Sequence, residues 1–273
     1  MTVIESSLPQ LAPTHTPSKA WWRSTDVRLF RDRILLLVLL VTAWELIGLF
    51  VLDEIWISRP SLVFDRLLEL NESGRLWIHV EKTVMAAVFG LLLAFALGVP
   101  IGILMARAKY AYAVAEPFVA GLNSLPRVAL APLFIIWFGI DLFSKVMMSF
   151  SIVLFVFMLN VHQGLKTVDK DLVDLMKTMK ASNAYITRKV LIPWVVPWIF
   201  AALRIGTGMA LIGAVVGELM AASAGLGWYI QHSAGRLDTT GVFAGITALL
   251  FIAVIANAIV SRLEQHFTSW SRA

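Results

Sequence analysis

Apolar runs about as long as a lipid bilayer is thick limit this chain more than any other feature. They lie at about 34–52, 79–105, 111–140 (interrupted), 146–165, 194–220 and 241–262. A helix of roughly 20 residues crosses the ~30 Å hydrocarbon core. No water is available there, so backbone N–H and C=O groups must pair within the segment, which leaves helices or closed barrels. Runs of this length predict an all-α membrane protein with about six transmembrane helices. Only 15% of residues are charged, against about 25% in a soluble domain. No internal repeat is visible.

The first run is too long for a secretory signal core and is followed by Asp53 and Glu54 with no small-residue cleavage site. It is therefore expected to stay as the first span. The expected organisation is a cytoplasmic N-terminal tail over 1–33, a transmembrane domain over 34–265 with a cytoplasmic loop at about 166–193, and a C-terminal tail over 266–273. With an inside N-terminus, six spans leave only Arg59, Arg66, Arg75, Lys82, Lys145 and Arg236 outside. The clusters at 19–33, 107–109 and 166–189 fall inside. Positive charge follows the cytoplasmic side, so both termini are expected there. Trp21, Trp22, Trp56, Trp77, Trp228 and Trp270 fall near span ends, the place of interfacial indoles.

The net charge of +5 flanks the spans and does not form one patch, so it reads as a topology signal and no nucleic-acid partner is expected. The absence of cysteine removes disulfides, thiolate zinc sites and thiol nucleophiles. His79, His162, His232 and His266 show no metal-ligand spacing. No cofactor and no catalytic residue is expected. In the first outer loop, Leu62, Val63, Leu67 and Leu70 lie at helical spacing opposite Asp65, Arg66 and Glu69, which predicts a short surface helix.

The loop KTVDKDLVDLMKTMKASNAYITRKVLIP, 166–193, is the most informative segment. Val168, Leu172, Leu175, Met176 and Met179 form one helical face and Lys170, Asp174 and Lys177 the other, with Asp169 or Asp171 able to cap the start. This is an amphipathic helix of about three turns, too short and too charged to span. A turn at Lys180, Ala181, Ser182 and Asn183 leads to a second short helix running toward Pro193. By periodicity alone the first helix either lies on lipid headgroups, forms an ordinary structured loop, or docks in a partner's groove.

This loop resembles that of ABC importer permeases, which carry a Glu-Ala-Ala pattern before the penultimate span, a Gly four residues on, and an Ile/Leu-Pro thirteen past that Gly. Here Asp174 takes the place of the Glu, Leu175 and Met176 of the two Ala, Lys180 of the Gly, and Ile192-Pro193 closes the pattern. A Lys is strained wherever that turn needs positive φ. The segments LPRVALAPLFIIWFGIDLFSK (125–145), LRIGTGMALIGAVVGELM (203–220) and GLGWYI (225–230) resemble the nitrate/sulfonate/taurine-type branch, and the likeness covers roughly 30–265. It implies a type I permease of a bacterial cytoplasmic (inner) membrane that pairs with a second copy around a central pathway. An external substrate-binding protein would deliver a small solute, such as a sulfonate, nitrate or similar anion. Two ABC ATPase subunits would seat on the loop and bind the ATP. No Gly-x-x-x-x-Gly-Lys-Ser/Thr phosphate loop occurs in this chain, so it is not expected to be the hydrolysing enzyme.

Within the spans, Pro117, Pro126 and Pro132 interrupt the third run, as a kink packed on neighbours or as a break lining the pathway. Glu45, Arg127, Arg204 and Glu218 lie in or at the edge of spans, where an ionised group near the midplane costs about 2.5–3.5 kcal/mol. Their open roles are pairing with other spans or gating and anion passage. Arg127, beside the proline breaks, is the leading pathway candidate. Arg204 and Glu218, fourteen residues apart, stand about 21 Å apart on one helix and cannot pair. Gly98 with Gly102 and Gly213 with Gly217 allow close helix approach within the bundle or across a dimer. The alternative function is a secondary transporter or channel with no ATPase partner. A membrane enzyme ranks third, for want of a catalytic constellation.

Overall fold

The computed structural model describes residues 19–267, with side chains from Val27 onward except that of Lys109. Of the tail expected over 1–33, residues 1–18 lie outside the described residues, as do the side chains of Trp21 and Trp22, and Trp270 and Arg272. The chain divides at Leu52 into two units, 1–52 and 53–273. The first carries α1 (Lys19–Phe50), whose stretch Val27–Phe50 is long and apolar enough to cross a bilayer.

The second unit is helical throughout its described residues. Its elements are α2 (Pro60–Glu72), α3 (Arg75–Arg107), α4 (Lys109–Ser124), a 3₁₀ turn (Arg127–Leu130), α5 (Ala131–Phe138), α6 (Leu142–Lys166), α7 (Lys170–Thr178), α8 (Asn183–Ile186), a π-helical turn (Thr187–Leu191), α9 (Ile192–Met220), α10 (Leu226–Gly235) and α11 (Thr239–Phe267). Four of its stretches, Arg75–Arg107, Leu142–Lys166, Asn183–Met220 and Thr239–Phe267, are long and apolar enough to span, and Tyr110–Ser124 with Arg127–Phe138 forms a pair bent by 84°. With α1 this gives five continuous spans and one broken one.

The break has a local cause. Pro126 disfavours helical backbone at the residue before it, and Leu125 is extended, at φ −65° and ψ 132°. An 84° bend is a broken segment, far beyond a packed kink. Pro117, by contrast, sits inside α4 without breaking it.

The core is a seam of α3, α6 and α9 built around Ala86, Ala94, Val153, Phe157, Ala202, Ala210 and Ala214. Lipid supplies no hydrophobic drive between helices, so small residues that let backbones approach hold such seams together. A Cβ on Gly98 would lie 2.8 Å from Phe157 Cβ, and one on Gly213 would lie 2.5 Å from Ser149 Cα. Both glycine pairs therefore serve contacts of α6 with α3 and α9 inside the chain.

The second loop helix departs from expectation. α8 does not stop before the fifth span but continues into it, giving one helical stretch over Asn183–Met220. Pro193 has no N–H, and in a regular α-helix its ring would strike the carbonyl of Lys189. The wider π turn absorbs this, with the N–H of Ile192 bonding the carbonyl of Thr187.

Candidate coupling and translocation site

At one end of the unit, α7 is a short, sharply bounded helix. The Asp169 carboxylate accepts from the N–H of Asp171 at 2.8 Å and caps its start. Asp174 and Lys177 pair at 3.0 Å on the polar face. On the apolar face Val168 is buried and Met176 half-buried, whereas Leu172, Leu175 and Met179 are 39%, 57% and 71% exposed. No residue of α7 itself is buried.

The exit from α7 answers the question posed by Lys180. The N–H of Lys180 bonds the carbonyl of Lys177 at 2.8 Å and that of Ala181 bonds Met176 at 3.0 Å. This crossed pair defines a Schellman turn whose left-handed residue is Lys180, at φ 57°. Glycine is the residue without a steric cost there, and a lysine carries about 1–2 kcal/mol of strain. Ser182 then caps α8, its hydroxyl accepting from the N–H of Tyr185 at 3.2 Å. Leu172 and Pro193 share a cleft with Trp194 and Trp198.

In the broken span, Pro126 caps the 3₁₀ turn and Pro132 stands in the first turn of α5. Arg127 bridges the break. Its guanidinium donates to the Leu122 carbonyl at 2.6 Å and to the Ser151 carbonyl of α6 at 3.0 Å, and it lies 4.2 Å from the Phe155 ring centroid. The last carbonyls of a helix lack partners within it, and Leu122 is in the last turn of α4, so the cation sits at the negative helix end. None of the described side chains of α4 is buried; Tyr110, Val114, Phe118 and Leu122 are all more than half exposed.

Arg204 and Glu218 are apart, as their spacing requires. Arg204 lies 4.0 Å from Glu264 of α11. Glu218, 2% exposed, sits at the far end of α9 and holds the entry to α10. Its carboxylate accepts from the Thr83 hydroxyl at 2.9 Å and from the N–H of Gly227 at 2.8 Å. Thr83 Oγ1 in turn accepts from the N–H of Leu226 at 2.8 Å, and His79 Nδ1 from that of Gly225 at 3.2 Å. Three consecutive N–H groups opening α10 are thus each taken by a side chain of α3 or α9. Gly225 adopts φ 126°, and any Cβ there would run into the Glu218 carboxyl.

His79 carried no expectation from sequence. The signal available was its spacing of four from Thr83, which sets both on one face of α3 beside a Gly-Leu-Gly turn. Trp228 likewise does more than mark an interface: its ring stacks between His79 and His232, centroids 5.3 and 4.8 Å away. Lys145, 4% exposed, donates to the carbonyls of Ile140 and Asp141 and so closes the turn from α5 into α6. Among the described residues no group of three or more His, Asp or Glu is placed to hold a metal ion.

The expected residues therefore fall in three places. The α7 stripe with Pro193 is at one end, Arg127 with Pro126 and Pro132 is at the broken span, and Glu218 is at the other end, about 37 Å along α9 from Pro193. Known proteins give this layout a context. Residues 98–269 match the family described as "Binding-protein-dependent transport system inner membrane component". The putative aliphatic sulfonates transport permease protein SsuC of Bacillus subtilis is 31% identical over 87% of this chain and 86% of its own length. The formylaminopyrimidine transport permease protein ThiX of Halalkalibacterium halodurans is 28% identical over 87% and 95%. The chain also superposes on a solved chain of the MetNI methionine ABC transporter in an inward-facing form, with TM-score 0.62, 20% identity and coverage of 70% of this chain and 94% of that one; at that identity the likeness speaks to the fold. The family match spans more than half of the chain, and the protein belongs to the inner-membrane permease components of binding-protein-dependent ABC transport systems.

Proposed function

We propose that two copies of this permease form the pathway of an ATP-driven importer, with an ABC ATPase subunit seated on each α7 and a solute-binding protein docking at the opposite end. The observation that carries this reading is α7. Leu175 and Met179 project from a capped helix with most of their surface exposed, and Leu172 borders an open apolar cleft with Pro193, Trp194 and Trp198, at the end where the chain is richest in Lys and Arg and hence cytoplasmic. An amphipathic helix laid in a partner's groove reads out through such anchors. ATP would be bound and hydrolysed by that partner, and both termini of the permease would lie in the cytoplasm.

The continuity of α8, the π turn and α9 supports a mechanical role. A displacement of α7 and its turn reaches the span without an intervening loop, so closure of the ATPases can rock α9 and alternate the access of the pathway. The broken span, with Arg127 at its bend and α4 unburied, is the segment we assign to the pathway. Pro126 and Pro132 create the bend. Arg204 and Glu218 act as bundle ties.

The solute we assign is a small organic molecule, a sulfonate or similar anion. Relatives are named for aliphatic sulfonates and taurine, and also for formylaminopyrimidine and riboflavin, so selection rests mainly with the delivering protein.

Gentle purification tests the assembly. A stoichiometric P-loop ATPase should accompany the wild-type chain, and replacing Leu172, Leu175, Met176 and Met179 with Ser should release it while membrane insertion persists. Retained ATPase and normal uptake in that variant would overturn the α7 assignment. Uptake driven by an ion gradient, with no ATPase present, would overturn the importer. Arg127→Gln should lower uptake at normal expression.

A further inference from the structure

At the α10 end, α2, the start of α3 and α10 enclose an open cavity of about 630 Å³. One wall is the ring column His79, Trp228 and His232, the last pair stacked within 11° of parallel. The rim carries Arg66, Arg75 and Arg236 against Glu69 and Asp238. Arg66 is engaged by Asp238 at 2.6 Å and by Glu69 at 3.3 Å. Arg75 is 58% exposed and stands 3.6 Å from Glu69. Arg236 is exposed; its side chain and that of His232 make no hydrogen bond among the described residues, and the Arg236 charge acts on Asp238 through space. The cavity thus presents a guanidinium and an imidazole with free donors beside a rigid aromatic wall.

The surroundings make this cationic rim stand out. Asp53, Glu54, Asp65, Glu72 and Glu81 belong to the same end and lie outside the cavity. Of the few cations there, Arg66, Arg75 and Arg236 line this cavity, Lys82 and Lys145 line a neighbouring one that shares Ser223 and Ala224 with it, and Arg59 lines neither. Positive charge is scarce at this end and the fold gathers it.

We propose that this cavity receives an acidic side chain of the solute-binding protein, a carboxylate bridging Arg236 and Arg75 beside His232. This rests on the reading above that such a protein docks opposite α7. A guanidinium fork matches a carboxylate with two parallel hydrogen bonds, and an acidic partner is steered past the surrounding acids by the arginines of this opening. The carboxylate would touch α10, whose first turn is tied to α9 by Glu218 and to α3 by Thr83 and His79, so docking bears directly on the helix that carries the coupling turn at its other end.

The test uses the assembled transporter in proteoliposomes. The partner is identified first. The chain has no cysteine, so Ser223→Cys gives a single cross-linking point on the cavity with which to capture the soluble solute-binding protein in intact cells. That protein, loaded with solute, is then titrated against ATPase activity. Arg236→Glu should raise the concentration giving half-maximal stimulation about tenfold, and Arg75→Glu with Arg236→Glu further, with basal and maximal rates kept. Raising salt should weaken wild type more than the double variant. Arg59→Glu, at the same end but outside the cavity, should titrate as wild type. The proposal is overturned if the double variant titrates as wild type or if Arg59→Glu loses as much. It is also overturned if inorganic sulfate quenches Trp228 fluorescence while docking ignores Arg236, which would make the cavity a small-anion site. A binding protein that fails to stimulate wild type at all would instead refute delivery at this end.

Discussion

The two ends of α9 hold polar and apolar groups in opposite ways. At the α10 end, the carboxylate of Glu218 is buried and every N–H from Gly225 to Gly227 finds an acceptor within the chain. At the α7 end, Leu172, Leu175 and Met179 face outward and the exit turn places a lysine where glycine is favoured. The first end is complete by itself and contributes to the stability of the isolated chain. The second leaves apolar side chains exposed, and under the proposed function its residues contribute to assembly.

That contrast is broken or sharpened by substitution. The largest loss of stability is expected from Glu218→Ala, which strips acceptors from the buried Thr83 hydroxyl and Gly227 N–H. A buried donor left without its acceptor costs about 1–3 kcal/mol, so the melting temperature of the purified protein in detergent should fall by many degrees. An unchanged melting temperature would show that the clasp does not hold α10. Gly225→Ala should approach the same loss, since it meets both a positive φ and the Glu218 carboxyl.

The tie between α2 and α11 should show itself through pH. Burial acts to raise the Asp238 carboxyl, but the Gly241 N–H and the Arg66 guanidinium outweigh it and hold it below the usual carboxylate range. A depressed folded value means the contribution is present in full above the unfolded value, about 3.9, and lost as pH falls through the folded one. The stability gap between wild type and Asp238→Asn should therefore be widest at neutral pH and close below about pH 4. A gap that persists in strong acid would contradict this.

At the α7 end, Lys180→Gly should stabilise the chain by about 1 kcal/mol through relief of the left-handed strain, and Lys180→Val should destabilise it; thermal scans of both decide. The smallest effect on stability is expected from the four serine substitutions on α7. Exposed positions away from special features usually change stability by about 0.5 kcal/mol or less; that covers Leu175 and Met179, while the half-buried Met176 and Leu172 at the Trp194 cleft add a modest loss, so the protein should stay folded while ATPase association is lost. A large fall in melting temperature would mean that the stripe is packed in the isolated chain after all.

The spans were legible because hydrophobic length is a one-dimensional property, and the runs near 79–105, 146–165 and 194–220 meet helices within a few residues. The α7 stripe was legible for the same reason, since its face and its Asp169 cap follow from spacing alone. The continuity of α8 with α9 was not, because a proline reads as a boundary until a π turn is seen to absorb it. Nor was the set His79, Thr83 and Glu218. Each looks unremarkable in its own segment, and they meet only because α3 and α9 bring residues far apart in sequence to one point.

Composition, span length and charge asymmetry by themselves determined that this chain is a helical membrane protein with an amphipathic helix on its more basic side. These follow from the cost of placing backbone and charge in lipid, which each segment meets separately. Tertiary structure alone decided where the charges act: Glu218 as a clasp, Arg127 as a bridge across a broken span, Arg66, Arg75 and Arg236 as the rim of one cavity. Such roles depend on distances between helices, and the close glycine contacts of α3, α6 and α9 set those distances.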